Sequence, residues 1–397
     1  MVTLLRKRET RDMRGRKSLL WPEVSPELSD PVRGFSLKFC RKKSKALTGL
    51  PLLSYHAGEK IKALLSRLPA ENILVVTDPE IVLSPKAPAL LFEALEEGAL
   101  FGPVFNASTN PSQQAALPAP YFDLPTFLEA AEILARDQEV ITTDALDPAC
   151  FACRRETLAR FPEFTLPEIP KASGLTLRVV KGALVHTFRP ALSAPREELL
   201  TLIPRESGRL LDVGCAGGAF GRLLRERFPE MEIQGLEPDP LLAAEAEKVY
   251  QKLWRLPFPS EELPSAHYDV VHLGDVLEHL QDPWEALSCV RRILKPKGFL
   301  TGSVPNVGHW TVVRALLEGD FEYLPHGILS VGHLRFFTPK SLARLLEEEG
   351  FELEIFEPLK PPPLPSGEEF IRRHAPSSEA RENLLTAGML FRARKAV

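Results

Sequence analysis

The densest chemical pattern in this sequence is Leu210-Leu211-Asp212-Val213-Gly214-Cys215-Ala216-Gly217-Gly218-Ala219-Phe220-Gly221. An apolar run ends in an acid, and a glycine-rich turn then opens onto a helical pattern. With few side chains in the turn, the backbone can approach a ligand closely. Glu237 closes the next apolar run, 25 residues after Asp212. In open α/β sheets an acid at that place takes ribose hydroxyls, since one carboxylate can accept from both. The turn lacks the lysine–serine pair of a phosphate loop, which disfavours a nucleoside triphosphate. A further apolar run, Tyr268–Leu273, leads into Gly274-Asp275-Val276-Leu277-Glu278-His279-Leu280-Gln281-Asp282-Pro283. The pattern predicts a nucleoside pocket at the ends of parallel strands.

Three other groups of residues could do chemistry. His309, His326 and His333 fall in a stretch of mixed polarity, and a histidine suits proton transfer near neutral pH. No carboxylate stands near them at ligand spacing, so no metal is expected. Cys150 and Cys153 form a C-x-x-C without a second pair, which fits two small buried side chains better than zinc or redox work. Asp78-Pro79-Glu80 follows an apolar run and reads as an acidic turn or as a metal-holding acid pair.

Elements that could position these groups alternate strictly after a break at 189–195, R-P-A-L-S-A-P. Leu210–Val213, Glu232–Leu236, Tyr268–Leu273 and Gly298–Val304 read as strands. Ala219–Phe228, Pro240–Val249 and Pro283–Leu294 read as the helices between them. Pro339–Glu349 is a helix, Phe351–Phe356 a strand, 361–365 a stiff loop and Leu385–Arg394 a closing strand. Such alternation predicts a mostly parallel sheet with helices on both faces. Before the break, helices are expected at Ser54–Arg67, Ala87–Glu97 and Leu124–Arg136. Strands are expected at Asn72–Thr77, Pro103–Phe105, from Ala149, and as a pair at Leu175–Val180 and Ala183–Phe188.

Composition narrows the class. The chain has 397 residues, 44% hydrophobic and 26% charged, which suits two globular domains. A net charge of −4 argues against a dedicated nucleic-acid binder. Residues 1–50 carry 13 basic and 5 acidic side chains, a net of +8, leaving −12 for the remainder. They read as a basic, irregular, partly disordered leader, broken by Pro22, Pro26 and Pro31, with weak attraction for an acidic membrane surface. No apolar run is long enough to span a membrane, and no signal peptide is read. Five scattered cysteines suit a cytoplasmic location.

Taken together, "D-V-G-C-x-x-G", the acid after the second strand, "D-V-L-E-H-L-x-D-P" and "L-K-P-x-G" resemble the class I S-adenosylmethionine-dependent methyltransferases. The resemblance spans Arg196 to Val397. It implies a seven-stranded Rossmann-like sheet whose last strand inserts antiparallel. It assigns Asp212, Gly214, Cys215 and Gly217 to the methionine end of the cofactor, Glu237 to the ribose and Asp275 to the site wall. Glu278 and His279 are either part of that wall or only a helix-start pair. The acid that often follows the third strand is absent. Leu253-Trp254-Arg255-Leu256-Pro257-Phe258 stands there, and Leu256 or Phe258 could sandwich the adenine instead. "P-N-x-x-H-W" and "G-I-L-x-x-x-H-L-R-F-F-T" resemble a bacterial subgroup often encoded with glycan enzymes. That subgroup usually has an acid where this chain has Ser330. His333 or His309 is then the candidate base.

In the first half, Asp78-Pro79-Glu80, the segment from Asp147 to Leu158 and Val185–Phe188 resemble parts of family 2 glycosyltransferases. The opening strand–turn–helix of that family and its second acidic pair find no counterpart, so residues 51–190 are read as a degenerate, glycosyltransferase-like α/β domain before the methyltransferase domain at 196–397. The combined expectation is O-methylation of a sugar in a cell-surface glycan or its precursor, as in polysaccharide biosynthesis. Methylation of a quinone-type or other small molecule is the alternative, and a non-catalytic S-adenosylmethionine-binding scaffold is another.

Overall fold

The computed structural model describes residues 17–23, 31–48, 50, 52–56, 58–68, 70–108, 110–188 and 196–396. Two compact units, Met1–Ser193 and Ala194–Val397, each contain their own sheet.

The first unit runs β1 (Lys17–Pro22), α1 (Pro31–Thr48), β2 (Leu52–Tyr55), α2 (Ile61–Arg67), β3 (Asn72–Val76), β4 (Ile81–Leu83), α3 (Ala87–Glu93) and β5 (Ala99–Phe105). It continues with α4 (Leu124–Leu134), β6 (Val140–Thr143), β7 (Cys150–Arg154), α5 (Arg155–Ala159) and β8 (Thr176–Thr187). The strand order is β2-β1-β3-β7-β5-β8-β4, with β6 on β8. β2, β1 and β3 are parallel, and β7 runs against β3.

This corrects the expectation of a leader over 1–50. β1 sits between β2 and β3 with Leu19 and Leu20 fully buried. Pro31 does not break a helix; it opens α1, and a proline in the first turn gives up no hydrogen bond. The buried Ser44 of α1 accepts from the Leu83 amide, tying the helix to β4. A strand and a helix therefore stand where the sequence reading expected irregular chain. The most basic run, 6–16, and Pro26 lie outside the described residues, and with them the suggested membrane contact. Two further differences are local. The start of the Ser54–Arg67 helix belongs to β2, and the two closing strands are one twelve-residue strand.

The second unit runs β9 (Arg209–Val213), α6 (Ala219–Arg227), β10 (Glu232–Leu236), α7 (Pro240–Ala246), β11 (Lys252–Trp254), β12 (Tyr268–Gly274), α8 (Pro283–Ile293) and β13 (Leu294–Pro305). Then follow α9 (Trp310–Leu317), α10 (Pro339–Glu348), β14 (Phe351–Leu359), α11 (Pro365–His374), α12 (Ser378–Leu385) and β15 (Gly388–Lys395). The seven-stranded order is β11-β10-β9-β12-β13-β15-β14. β15 alone runs antiparallel to its neighbours.

Side chains alternate across the central strands, and both faces bury apolar residues. Leu211 and Val213 of β9 and Val271 and Leu273 of β12 enter one core, while Leu210 and Val270 enter the other. Both sheet faces are covered, so no polar alternation is required. The order reverses at β9, which places a crevice beyond the carboxyl ends of β9, β10 and β12. The sequence reading did not register β11, α9, α11 or α12. The proline-rich loop leads into two helices, because Pro365 occupies the first turn of α11, where it costs nothing. No helix of the described residues is long and apolar enough to cross a membrane.

Candidate functional site

The glycine-rich turn leaves β9 and is held against β10. The amides of Gly214 and Cys215 both donate to the Leu236 carbonyl, at 2.8 and 3.1 Å. Gly214, Ala216 and Gly218 are left-handed, with φ of 67°, 46° and 80°. At Gly214 a side chain is excluded twice over, since a Cβ would also stand 2.9 Å from Val276 Cγ2. Gly217 has only Glu245 Cβ within 4 Å of where its own Cβ would lie, so that side of the turn is open.

Glu237 sits at the end of β10 with 6% of its surface exposed. Its Oε2 accepts from the Ala216 amide and its Oε1 from the Asp239 amide, each at 2.9 Å. Burial raises this carboxyl above its ordinary range against the pull of the two amides. Each oxygen keeps a lone pair, and a carboxylate so fixed can take two vicinal hydroxyls. Asp212 is more secluded. Its Oδ2 accepts from the Tyr250 hydroxyl at 2.5 Å. Burial pushes Asp212 up to about 7, with Tyr250 pulling down and Glu237 adding to the rise. Cys215 is buried beside them, and burial raises its thiol. In place of the missing acid after the third strand, Leu256 and Phe258 are half-buried.

A second group forms beyond β12. Asp275 adopts φ 54°, its Oδ1 accepts from Ser303 Oγ at 2.7 Å, and its Oδ2 pairs with Arg196. Arg196 also pairs with Glu198. An arginine and an aspartate side by side present both charges that an amino-acid zwitterion needs. Sequence reading missed Arg196, because it stands at the domain boundary outside any motif. It also missed Tyr250, whose role as a donor depends on α6 and β10 packing together.

The histidines separate. His309 caps α9, buried, with Nδ1 3.0 Å from Thr311 Oγ1, and burial lowers it to about 3. His333 is half-buried and donates from Nδ1 to the Ile328 carbonyl at 2.9 Å. Burial lowers it to about 4, the carbonyl opposing and His279 adding to the fall. Ser330, standing where the subgroup has an acid, donates to the Pro325 carbonyl and accepts from the Gly332 amide, holding the loop rather than a ring. The loop is stapled to the end of β12. The amides of Leu334 and Arg335 donate to the Glu278 carbonyl at 2.7 and 3.0 Å. His333 therefore meets His279 and Glu278, 54 and 55 residues earlier, with His326 near enough to act on it electrostatically. The absence of a nearby carboxylate, the reason for expecting no metal, holds along the chain but not in space.

In the first unit, Asp78 Oδ1 accepts from the Glu80 amide, an acidic turn. Cys150 and Cys153 are both buried on β7. Three residues apart on a strand they face opposite ways, which rules out a shared ion.

Comparison with known proteins bears on the second unit. Residues 185–354 match the family model described as "Methyltransferase domain". An uncharacterized methyltransferase of Schizosaccharomyces pombe is 32% identical over 24% of this chain, which spans only 39% of that protein. A trans-aconitate 2-methyltransferase of Deinococcus radiodurans is 29% identical over 47% of this chain and 75% of its own length. A ubiquinone biosynthesis O-methyltransferase of Cereibacter sphaeroides is 29% identical over 53% of this chain and 85% of its own.

Proposed function

We propose that the second unit, an S-adenosylmethionine-dependent methyltransferase domain, moves a methyl group onto a hydroxyl of a small acceptor. The single observation carrying this reading is Glu237, fixed by two backbone amides at the switch point with lone pairs to spare. The donor set fits the cofactor. Glu237 would hold the ribose hydroxyls. The open side of Gly217 would admit the backbone-hugging chain. Arg196 and Asp275 would take the carboxylate and ammonium of the methionine end, exchanging their mutual pairing for it. Asp212 and Cys215, both buried, support the turn from beneath.

When bound, S-adenosylmethionine supplies a methyl on a sulfonium, an activated electrophile. The chain's own residues then have to orient the acceptor and lower the cost of removing its proton. His333 suits the acceptor side. Its Nδ1 proton is committed to a carbonyl, so Nε2 keeps the lone pair. His309 is more deeply buried and is the weaker candidate.

A sugar hydroxyl is the acceptor favoured by the first unit. The glycosyltransferase-like reading of that half draws on its parallel β2-β1-β3 strands and on the acidic turn after β3. The family model's match begins at residue 185, so it reaches only the end of this unit.

Calorimetry with S-adenosylhomocysteine tests the cofactor reading. The full chain should bind it, and Glu237→Ala should weaken binding by at least about tenfold, the loss expected for hydrogen bonds to a charged group. No binding by the unaltered chain would overturn the reading. Labelled methyl transfer to extracted glycans, set beside quinone precursors and carboxylic acids, then identifies the acceptor class.

A further inference from the structure

We infer that Glu278, His279 and His333 form a binding site for a divalent first-row metal ion. Each offers one donor atom, and these atoms lie within 4.8 Å of one another. The decisive group is Glu278. Its residue is 1% exposed, and both carboxylate oxygens are buried without a hydrogen-bond partner. A buried carboxylate in that condition is costly. Asp275, the neighbouring acid, is already engaged by Arg196 and Ser303.

The two imidazoles are prepared in the same sense. His279 Nδ1 meets the Gly332 carbonyl at 3.0 Å, and His333 Nδ1 meets the Ile328 carbonyl at 2.9 Å. A carbonyl can only accept, so each ring carries its proton on Nδ1 and its lone pair on Nε2. Anchoring of one ring nitrogen by a carbonyl is how proteins orient metal-binding histidines. The rings stand nearly perpendicular, with centroids 4.7 Å apart. Bonds of about 2.1 Å in tetrahedral geometry need donor separations of roughly 3.4 Å, so the three side chains draw together around the ion. Two imidazoles and one carboxylate select Mn²⁺, Co²⁺ or Zn²⁺ over Mg²⁺ and Ca²⁺, which prefer all-oxygen sets.

Three protein ligands leave positions open, and the site stands at the end of β12. Its role rests on the methyl-transfer reading, although its existence does not. An ion there draws an acceptor hydroxyl toward it and makes its ionisation easier. The hydroxyl proton leaves to water. The oxygen electron pair forms the C–O bond as the C–S bond breaks, and the C–S pair stays on sulfur. His333 is then a ligand rather than the base.

The test uses the full chain stripped with a chelator, then titrated with Mn²⁺ followed by electron paramagnetic resonance and with Co²⁺ followed by visible absorption. One equivalent of each should bind. Glu278→Gln and His279→Ala should each weaken binding by more than about 100-fold, beyond the loss caused by outer partners. His279 is exposed, so its variant keeps the test open if Glu278→Gln misfolds. Failure of the unaltered chain to bind a stoichiometric ion, or equal binding by both variants, overturns the site. Calorimetry with S-adenosylhomocysteine on the same samples separates the two ideas. Cation bound without it would sink only methyl transfer, and the reverse would sink only this site.

Discussion

At the scale of single residues, the second unit carries its unusual chemistry as buried carboxyls. Asp212 lies under the glycine-rich turn, bonded to Tyr250 and pushed up to about 7 by burial. Its folded-state pKa therefore exceeds its ordinary value of 3.8. A group raised in this way favours the folded state fully at low pH, and the benefit is lost as pH rises toward the folded value. Between about pH 4 and pH 7 it should cost the protein up to about 1.4 kcal/mol per pH unit. Asp212→Asn removes the charge and leaves a partner for Tyr250. Urea unfolding across that range should show a flatter slope for the variant; identical slopes would refute the assignment. An acid ending the first strand was legible in the sequence. That it is secluded against Tyr250, and that two backbone amides hold Glu237, was not, because both depend on where Tyr250 and the Ala216 amide come to lie.

At the scale of elements, position is set by close approach and by caps. Gly221 lies on α6 where a Cβ would meet the Tyr250 ring at 2.4 Å. Gly221→Ala should displace Tyr250, lower stability by about 1–3 kcal/mol as overpacking does, and weaken S-adenosylhomocysteine binding through the disturbed Asp212 contact. A thermal melt and calorimetry check both. α8 is a different case, with Asp282 capping it through the Glu285 amide. Asp282→Ala should cost about 1 kcal/mol without altering cofactor affinity, since Asp282 bonds the Glu285 amide and shares no partner with Glu237. The D-P start of α8 and the glycine-rich start of α6 were both readable, because caps and turns are local chemistry. β11 escaped notice, being only three residues long.

At the scale of the molecule, each unit closes its own sheet. Residues 194–397 expressed alone should fold cooperatively and bind S-adenosylhomocysteine with undiminished affinity. Loss of folding on removal of the first unit would contradict the division. The sequence by itself determined six of the seven strands of the second sheet, the helices α6, α7, α8 and α10, and the glycine turn paired with Glu237. Those features follow from hydrophobic periodicity and from motifs whose parts are close along the chain. Tertiary structure alone decided three things. It drew β1 and α1 into the first sheet, since a strand's worth depends on neighbours 30 to 55 residues away. It brought Arg196 to Asp275. And it folded the loop around His333 back onto Glu278, joining groups that no local spacing connects, because two amides of that loop found their acceptor at the far end of β12.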